Sequence, residues 1–407
     1  NFRSEAYPAE GEEGDRAAGL LADAGKRLPF IDKVVFSRER EGIPYWNKFL
    51  QGYYDFSGIS SDSFDQAVRI SVEGEAGVSP EMKSKGIKLE ASVGTATRYF
   101  AFNWLDPVVG GGQIDAAGRE RARKLRQAIS IALDWEEFIS IFANGRGIPG
   151  QGPIPPGIFG FRTGGDGINP IVYDWADAVP RRKSIEAAKK LLAEAGYPDG
   201  REAKSGQPLV LYLDTTDRGP GDKPRLDWYR KQFAKLDVQL EIRGTDYNRF
   251  QEKVRKGAAQ IFVWGWNADY PDPENFLFLF HGAQSRAKFQ GENAANYANS
   301  EYDRLFEQVK HMENGPARQA LIDRMLAILR EDAPWSFGFH PKDYSLHHDW
   351  VANLKPNNMA RNGLKYQKID AARREDLRAE WNRPVLWPLG LLAVVLAVSP
   401  APAVGGW

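Results

Sequence analysis

Between Leu209 and Trp264 the apolar residues switch repeatedly between the periods of strand and helix, and few folds accept that order. Leu209 to Leu213 is strand-like, and Leu226, Tyr229, Phe233 and Leu236 then recur at helical spacing across Pro224 to Leu236. Val238, Leu240 and Ile242 alternate as a strand, Tyr247 to Lys256 reads as a helix closed by Gly257, and Ile261 to Trp264 is a short buried strand. Strand, helix, strand, helix and strand on short links require right-handed crossovers, and predict a parallel α/β sheet covered by helices. The stretch is one lobe of a larger protein, since 407 residues allow two or three domains at roughly 100 to 200 residues each.

The flanks are less regular. Residues 1 to 28 read as a connection, Phe30 to Arg38 as a strand with Val34 and Phe36 on one face, and Trp46 to Tyr54 as a short helix. A long amphipathic helix runs from Arg119 through Ile139, broken near Asp134, and gives way to the Gly/Pro-dense loop Gly145 to Gly160, where no regular structure is expected. Ser184 caps a helix through Ala195 that Gly196 stops, helices follow at Glu301 to His311 and Pro316 to Glu331, and Trp335 to His340 returns as an aromatic strand.

Charge and composition remove several functions. Lysine plus arginine and aspartate plus glutamate stand at 54 each, so the broad positive field that nucleic acid requires is missing. The basic run Arg119, Arg121, Arg123, Lys124 and Arg126 sits on the polar side of a helix and reads as a solvated face. With no cysteine, thiolate metal sites, disulfides and cysteine nucleophiles are excluded. The five histidines form no metal-binding pair at helical spacing around a glutamate and read as core or surface residues; neither a metal nor a cofactor is expected. No G-x-S-x-G elbow occurs, and Gly19 to Arg27 (GLLADAGKR) has one residue too many for a phosphate loop, with Arg27 where a hydroxyl should hold magnesium. No catalytic constellation emerges.

The informative segment is Phe262 to Phe280, FVWGWNADYPDPENFLFLF. It follows the last strand of the parallel unit, and open α/β sheets bind ligands beyond the carboxyl ends of their strands. Trp264 and Trp266 supply flat apolar walls, and Asp269 offers a carboxylate where Tyr270-Pro271-Asp272-Pro273 fixes the loop. That mix suits a solute with an apolar body and a positive end. The plainer alternative is that the aromatics are core and the aspartates are turn formers.

Four motifs in one order, RQAISIALDWEEF (Arg126 to Phe138), GQGPIPPGIFG (Gly150 to Gly160), AAKKLLAEAGYPDG (Ala187 to Gly200) and WGWNADYPDPENFL (Trp264 to Leu277), resemble the peptide/nickel family (family 5) of extracellular solute-binding proteins that feed ABC importers. The resemblance runs from about Pro29 to Ile369. It implies a two-lobed architecture of the type II periplasmic binding proteins that closes on ligand as a hinged clamp, with Tyr99 to Asn103 as the crossing into the smaller lobe and Trp335 to His340 as the crossing back. The resulting division is 1–98 as a remnant of the larger lobe, 99–340 as the smaller α/β lobe, 341–370 as the return, 371–383 as a charged linker and 384–407 as a hydrophobic helix. It further implies a non-enzymatic, monomeric, extracytoplasmic protein that captures oligopeptides for a permease and ATPase, from a gene whose signal peptide and N-terminal segment precede residue 1. Ligand would meet Asp269, Trp264, Trp266, Tyr270, Asn103 and Phe102, with Asp269 pairing the peptide's α-ammonium. The alternatives are a hydrolase acting on peptide or glycan, a tethered scaffold, and a binder of opine, sugar, haem or metal chelate.

The tail adds one expectation of its own. Pro384 to Val398 reads PVLWPLGLLAVVLAV with no charge after Arg383, close to the roughly 20 apolar residues of a bilayer span, which predicts a membrane anchor interrupted by Pro388, Pro400 and Pro402.

Overall fold

The computed structural model describes residues 4–39, 41–60, 62–70, 76–111, 115–217, 219–357, 359 and 362–398. Two compact units emerge, one of Ala91–Asp343 and one of Asn1–Glu90 with Tyr344–Trp407.

The Ala91–Asp343 unit opens with strand β1 (Ala96–Phe102) and continues through helices α1 (Ala116–Ala132), α2 (Trp135–Ala143) and α3 (Ile185–Glu194). Strand β2 (Val210–Thr216), helix α4 (Lys223–Ala234), strand β3 (Gln239–Thr245), helix α5 (Tyr247–Arg255) and strand β4 (Ile261–Asn267) then alternate. Helices α6 (Ser300–Val309) and α7 (Pro316–Asp332) lead to β5 (Trp335–His348), which leaves the unit after Asp343. Local chemistry sets the boundaries. Asp134 accepts the Glu137 N–H at 2.9 Å and so restarts the chain as α2, and Ser184 does the same for α3 by accepting from Ala187.

The strands lie in the order β3-β2-β4-β1-β5. β3, β2 and β4 run parallel, as their alternation with helices predicts, but β1 pairs antiparallel with both β4 and β5, so the sheet is mixed. Periodicity carries the crossovers of β2, β3 and β4 and says nothing of the direction of a partner more than a hundred residues away. From β2 the chain moves outward to β3 and then returns past β2 to β4, so the order reverses between β2 and β4, beyond whose carboxyl ends ligands bind in sheets of this kind.

Both faces of the sheet are covered. Tyr99 and Ala101 of β1 join Phe262 of β4 against Phe250, Val254, Tyr302, Phe306 and Met325 of α5, α6 and α7. Phe100 and Phe102 join Leu211, Leu213 and Ile261 against Leu125, Phe138, Leu192, Tyr229 and Phe233 of α1 to α4. Successive strand residues point to opposite faces, so β1 is apolar almost throughout because neither face meets water.

The Gly147–Pro149 stretch, expected to be irregular, forms a short strand on Phe339–Pro341 of β5. A Cβ at Gly147 would meet Ile139 and Phe339 at 3.0 and 3.1 Å, so its glycine lets the strand approach.

In the other unit, helix Gly42–Leu50 buries Trp46 and Phe49 among Ile59, Phe64, Met82, Ile87 and Leu346. It begins four residues before Trp46 and stops at Gly52, whose φ of +78° a helix does not allow. The strand expected at Phe30 to Arg38 does not form, and Val34 and Phe36, read as one face of it, are 44% and 85% exposed. Residues 371–383, expected as a linker, contain the helix Ala371–Trp381, capped by Asp370 accepting the Arg373 N–H at 3.0 Å. Over the expected anchor the described residues form the helix Trp387–Val398. Among the described residues no helix is long and apolar enough to cross a membrane, and 399–407 lie outside them.

Candidate functional site

β4 hands the chain directly to the loop that begins at Asp269. The ladder to β1 pairs Trp264 with Tyr99, Gly265 with Arg98, Trp266 with Thr97 and Asn267 with Ala96, and Ala268 extends it by donating to the Thr95 carbonyl at 2.8 Å. Asp269 is the first residue past this ladder. Its N–H donates to Asn275 Oδ1 at 2.8 Å, and the same oxygen accepts the Trp266 indole N–H at 3.2 Å. Asn275 is 2% exposed, so one buried amide fixes both the start of the loop and the second tryptophan.

A second clamp holds the middle of the loop. Asp272 Oδ1 accepts the Glu274 N–H at 2.8 Å, closing an Asx turn that Pro271 and Pro273 favour on either side. Both Asp272 oxygens receive Arg318 of α7, at 2.7 and 2.8 Å, in the bidentate geometry that makes guanidinium–carboxylate pairs strong. Arg318 is 3% exposed and also donates to the Val309 carbonyl and to Asn314. Burial alone would push Asp272 up, but Arg318 and the Glu274 N–H outweigh it and hold the carboxyl below its usual range.

On this frame the side chain of Asp269 is exposed. Tyr270 is 43% exposed and its hydroxyl donates to Glu274; burial and then this carboxylate push the phenol up to about 12. Trp264 and Trp266 are half-buried, Trp264 against Phe250 (5.2 Å between ring centres) with the Arg286 guanidinium over its ring, Trp266 edge-on to Phe278 at 5.5 Å. These four residues share one loop and the strand feeding it.

Phe102 and Asn103 stand apart from them. Phe102 is 0% exposed inside the helical core, at the opposite end of β1. Asn103 donates to the carbonyls of Gly257 and Ala259 at 2.9 and 2.8 Å and accepts from the Leu105 N–H and the Asn296 amide, which uses its full capacity. Both are buried and hold the strand ends together. Sequence reasoning missed Asn275 and Arg318, whose partnerships within a turn and across 46 residues leave no periodic trace.

A cavity of about 550 Å3 opens at that same far end, lined by Trp104, Arg119, Arg123, Arg126, Asn299 and Asp332. Its charges are already engaged: Arg126 donates to the carbonyls of Val109 and Asp332, and Arg123 pairs with Glu120 and Glu331. The cavity belongs to the ion-pair scaffold of α1 and α7.

Gly265 bears on the Asp269 end of β4 directly. A Cβ there would lie 2.7 Å from Arg98 Nη1 and 2.9 Å from the Thr97 carbonyl, so Arg98 crosses the strand where no side chain stands. Gly265→Ala is expected to lower stability by about 1 to 3 kcal/mol, through the backbone shift that the carbonyl contact forces. Urea unfolding measures it, and an unchanged midpoint would show that the strands have slack.

Residues 15–287 match the bacterial extracellular solute-binding proteins, family 5, middle region. The chain is 29% identical over 224 residues to heme-binding protein A of Haemophilus influenzae, covering 54% of this chain and 37% of that protein. It is 25% identical over 250 residues to di/tripeptide-binding protein 2 of Pseudomonas aeruginosa, covering 61% and 43%. Among solved structures it superposes on the DppA periplasmic binding protein of Helicobacter pylori in complex with the peptide STSA, at a TM-score of 0.65 and 19% identity over 85% of this chain and 59% of that one. The oligopeptide-binding protein AppA of Bacillus subtilis, in complex with a nonapeptide, gives 0.63 and 17% over 90% and 66%. At these identities the likeness is one of fold, and the chain spans about two-fifths of the length of the curated relatives it matches.

Proposed function

The chain belongs to the bacterial extracellular solute-binding proteins of family 5, and from that premise we propose that it captures short peptides outside the cytoplasmic membrane and delivers them to an ABC permease and ATPase. It makes and breaks no bond. The observation that carries the reading is the Asp269 loop: an exposed carboxylate, just beyond a strand end where the sheet order reverses, on a backbone pinned by Asn275 and by the Asp272–Arg318 pair. Half-buried Trp264 and Trp266 give an apolar body something to lie against, and Asp269 takes the α-ammonium. Relatives described as di/tripeptide-binding or oligopeptide-binding support the solute class.

Isothermal titration with free and N-acetylated alanine peptides tests this. The free amine is expected to bind at least about tenfold tighter, and Asp269→Asn to remove most of that preference while leaving the acetylated peptide unaffected. Equal affinity of the parent for both forms would overturn the assignment of Asp269. Haem is a second reading, favoured by the identity to a heme-binding protein. Saturable Soret changes on adding haemin, with no heat from peptides, would establish it instead.

A further inference from the structure

Trp264 is held by more than apolar packing. Its indole meets Phe250 and Phe262 at 5.2 and 6.3 Å between ring centres, and the Arg286 guanidinium lies over the ring, 5.3 Å from its centre. Arg286 is half-buried, its Nη1 donates to Glu292 Oε2, and its Nε is enclosed with no hydrogen-bond partner among the described residues. A cation over an aromatic face is attracted by the ring quadrupole, and more strongly where water is kept away. The stacked indole therefore offsets part of the cost of enclosing the guanidinium.

The arginine stands on a backbone fixed by buried polar groups. It opens the short helix Arg286–Phe289, where Ser285 Oγ accepts the Lys288 N–H and donates to Asn296 Oδ1 at 2.8 Å. The same Asn296 oxygen accepts the Ala287 N–H at 2.9 Å. The Asn296 amide donates to Asn103, which is tied in turn to the carbonyls of Gly257 and Ala259, just before β4. Ser285, Asn296 and Asn103 are all buried. Gly257 completes the seat, since a Cβ there would lie 3.2 Å from the Ala287 Cβ and its φ of +65° suits glycine. Arg286 is thus anchored at the end of β4 opposite Asp269 and reaches along the strand to Trp264.

We propose that Arg286 is a positioning residue: stacked on Trp264 and oriented by Glu292, it presets the indole as the wall for an apolar side chain of the solute, so that the site favours bulky apolar peptides over alanine peptides. This rests on the peptide reading above. A wall already fixed loses little rotamer freedom when the solute arrives, and preorganisation of that kind is gained in affinity. The Asp269 loop has separate supports in Asn275 and Arg318, so the two parts of the site can be weakened one at a time.

Calorimetric titration of the full chain with trileucine and trialanine, each free and N-acetylated, tests this. The parent is expected to prefer trileucine. Arg286→Gln should cut that preference by about two- to tenfold, while the penalty for N-acetylation, which belongs to Asp269, persists. Glu292→Gln should act in the same direction because it releases the guanidinium, and Arg286→Lys should restore part of the preference because it keeps a cation for the ring. A solute-free signature accompanies these: the change that Arg286→Gln makes in the near-ultraviolet circular dichroism should vanish in a Trp264→Phe background. Melting temperatures close to the parent's separate a loosened wall from a lost fold, and should Arg286→Gln melt lower, Glu292→Gln carries the same comparison. If the parent binds trileucine and trialanine equally, or Arg286→Gln weakens both alike or leaves the preference intact, the Arg286 assignment falls and the peptide reading stands. If neither peptide binds the parent in any form, both fall.

Discussion

Asp272→Ala is expected to cost about 3 kcal/mol of stability, the largest single effect of any change in the loop. Arg318 is 3% exposed and donates to Asp272 through two nitrogens, so truncating the acid leaves a buried guanidinium with only the Val309 carbonyl and Asn314 for company. Asp272 itself is 33% exposed, which limits the loss to the lower part of the range for buried pairs. Arg318→Met should cost less, about 1 to 2 kcal/mol, because the methionine fills the space and Asp272 can hydrate. The double variant should then lie well short of the sum, the signature of a direct pair. Urea unfolding of the four proteins gives the cycle. Additive losses would show that each side chain acts through something other than its partner. The same change reaches the site, since the Asx turn at Asp272 sets the path of the loop that begins at Asp269.

How much of this was open to reading depends on the range over which each feature is encoded. β2, α4, β3, α5 and β4 were legible because each buries a face with its own period, and the caps at Asp134 and Ser184 are short-range chemistry written in adjacent residues. The direction of β1 and β5 was not, because antiparallel pairing of Trp264 with Tyr99 is a tertiary fact. Asp269 and Tyr270 stand on one loop, with Trp264 and Trp266 on the strand that feeds it, because they are near neighbours in the sequence. Phe102 and Asn103 lie at the other end of β1 from that loop, because on a strand covered on both faces the pattern does not say which end is open.

Acidification is expected to destabilise the protein well above the pH at which carboxylates titrate. His340, His347 and His348 are 0%, 3% and 0% exposed, and burial lowers each from the ordinary value near 6.5 to about 4. In His340, Nδ1 lies 3.1 Å from the Ala96 carbonyl and so carries the proton, which leaves Nε2 enclosed beside Phe161 with no partner among the described residues. His348 is the mirror case: Nε2 donates to the Phe49 carbonyl at 2.9 Å, while Nδ1 is enclosed and the ring stacks on Trp350 at 4.0 Å. His347 adds an enclosed Nδ1 and a nearby Lys88 that opposes a second positive charge. Between about pH 6.5 and 4 the unfolded chain binds protons that the folded chain refuses, so stability is fully present above 6.5 and falls as the pH drops toward 4. Each histidine that makes the whole crossing accounts for about 3 kcal/mol, enough that one in either unit matters against a total of about 5 to 15. Melting curves from pH 7.5 to 4 should show the transition temperature falling through this window, and His340→Gln should flatten the fall for the Ala91–Asp343 unit, because a neutral amide has no proton to take up. Asp272 pulls in the same direction only lower, since its depressed carboxyl stabilises the fold above the ordinary aspartate range and loses that contribution below it. A melting temperature that stays level down to pH 4.5 and then drops would assign acid sensitivity to the carboxylates and contradict the enclosure of the histidine nitrogens.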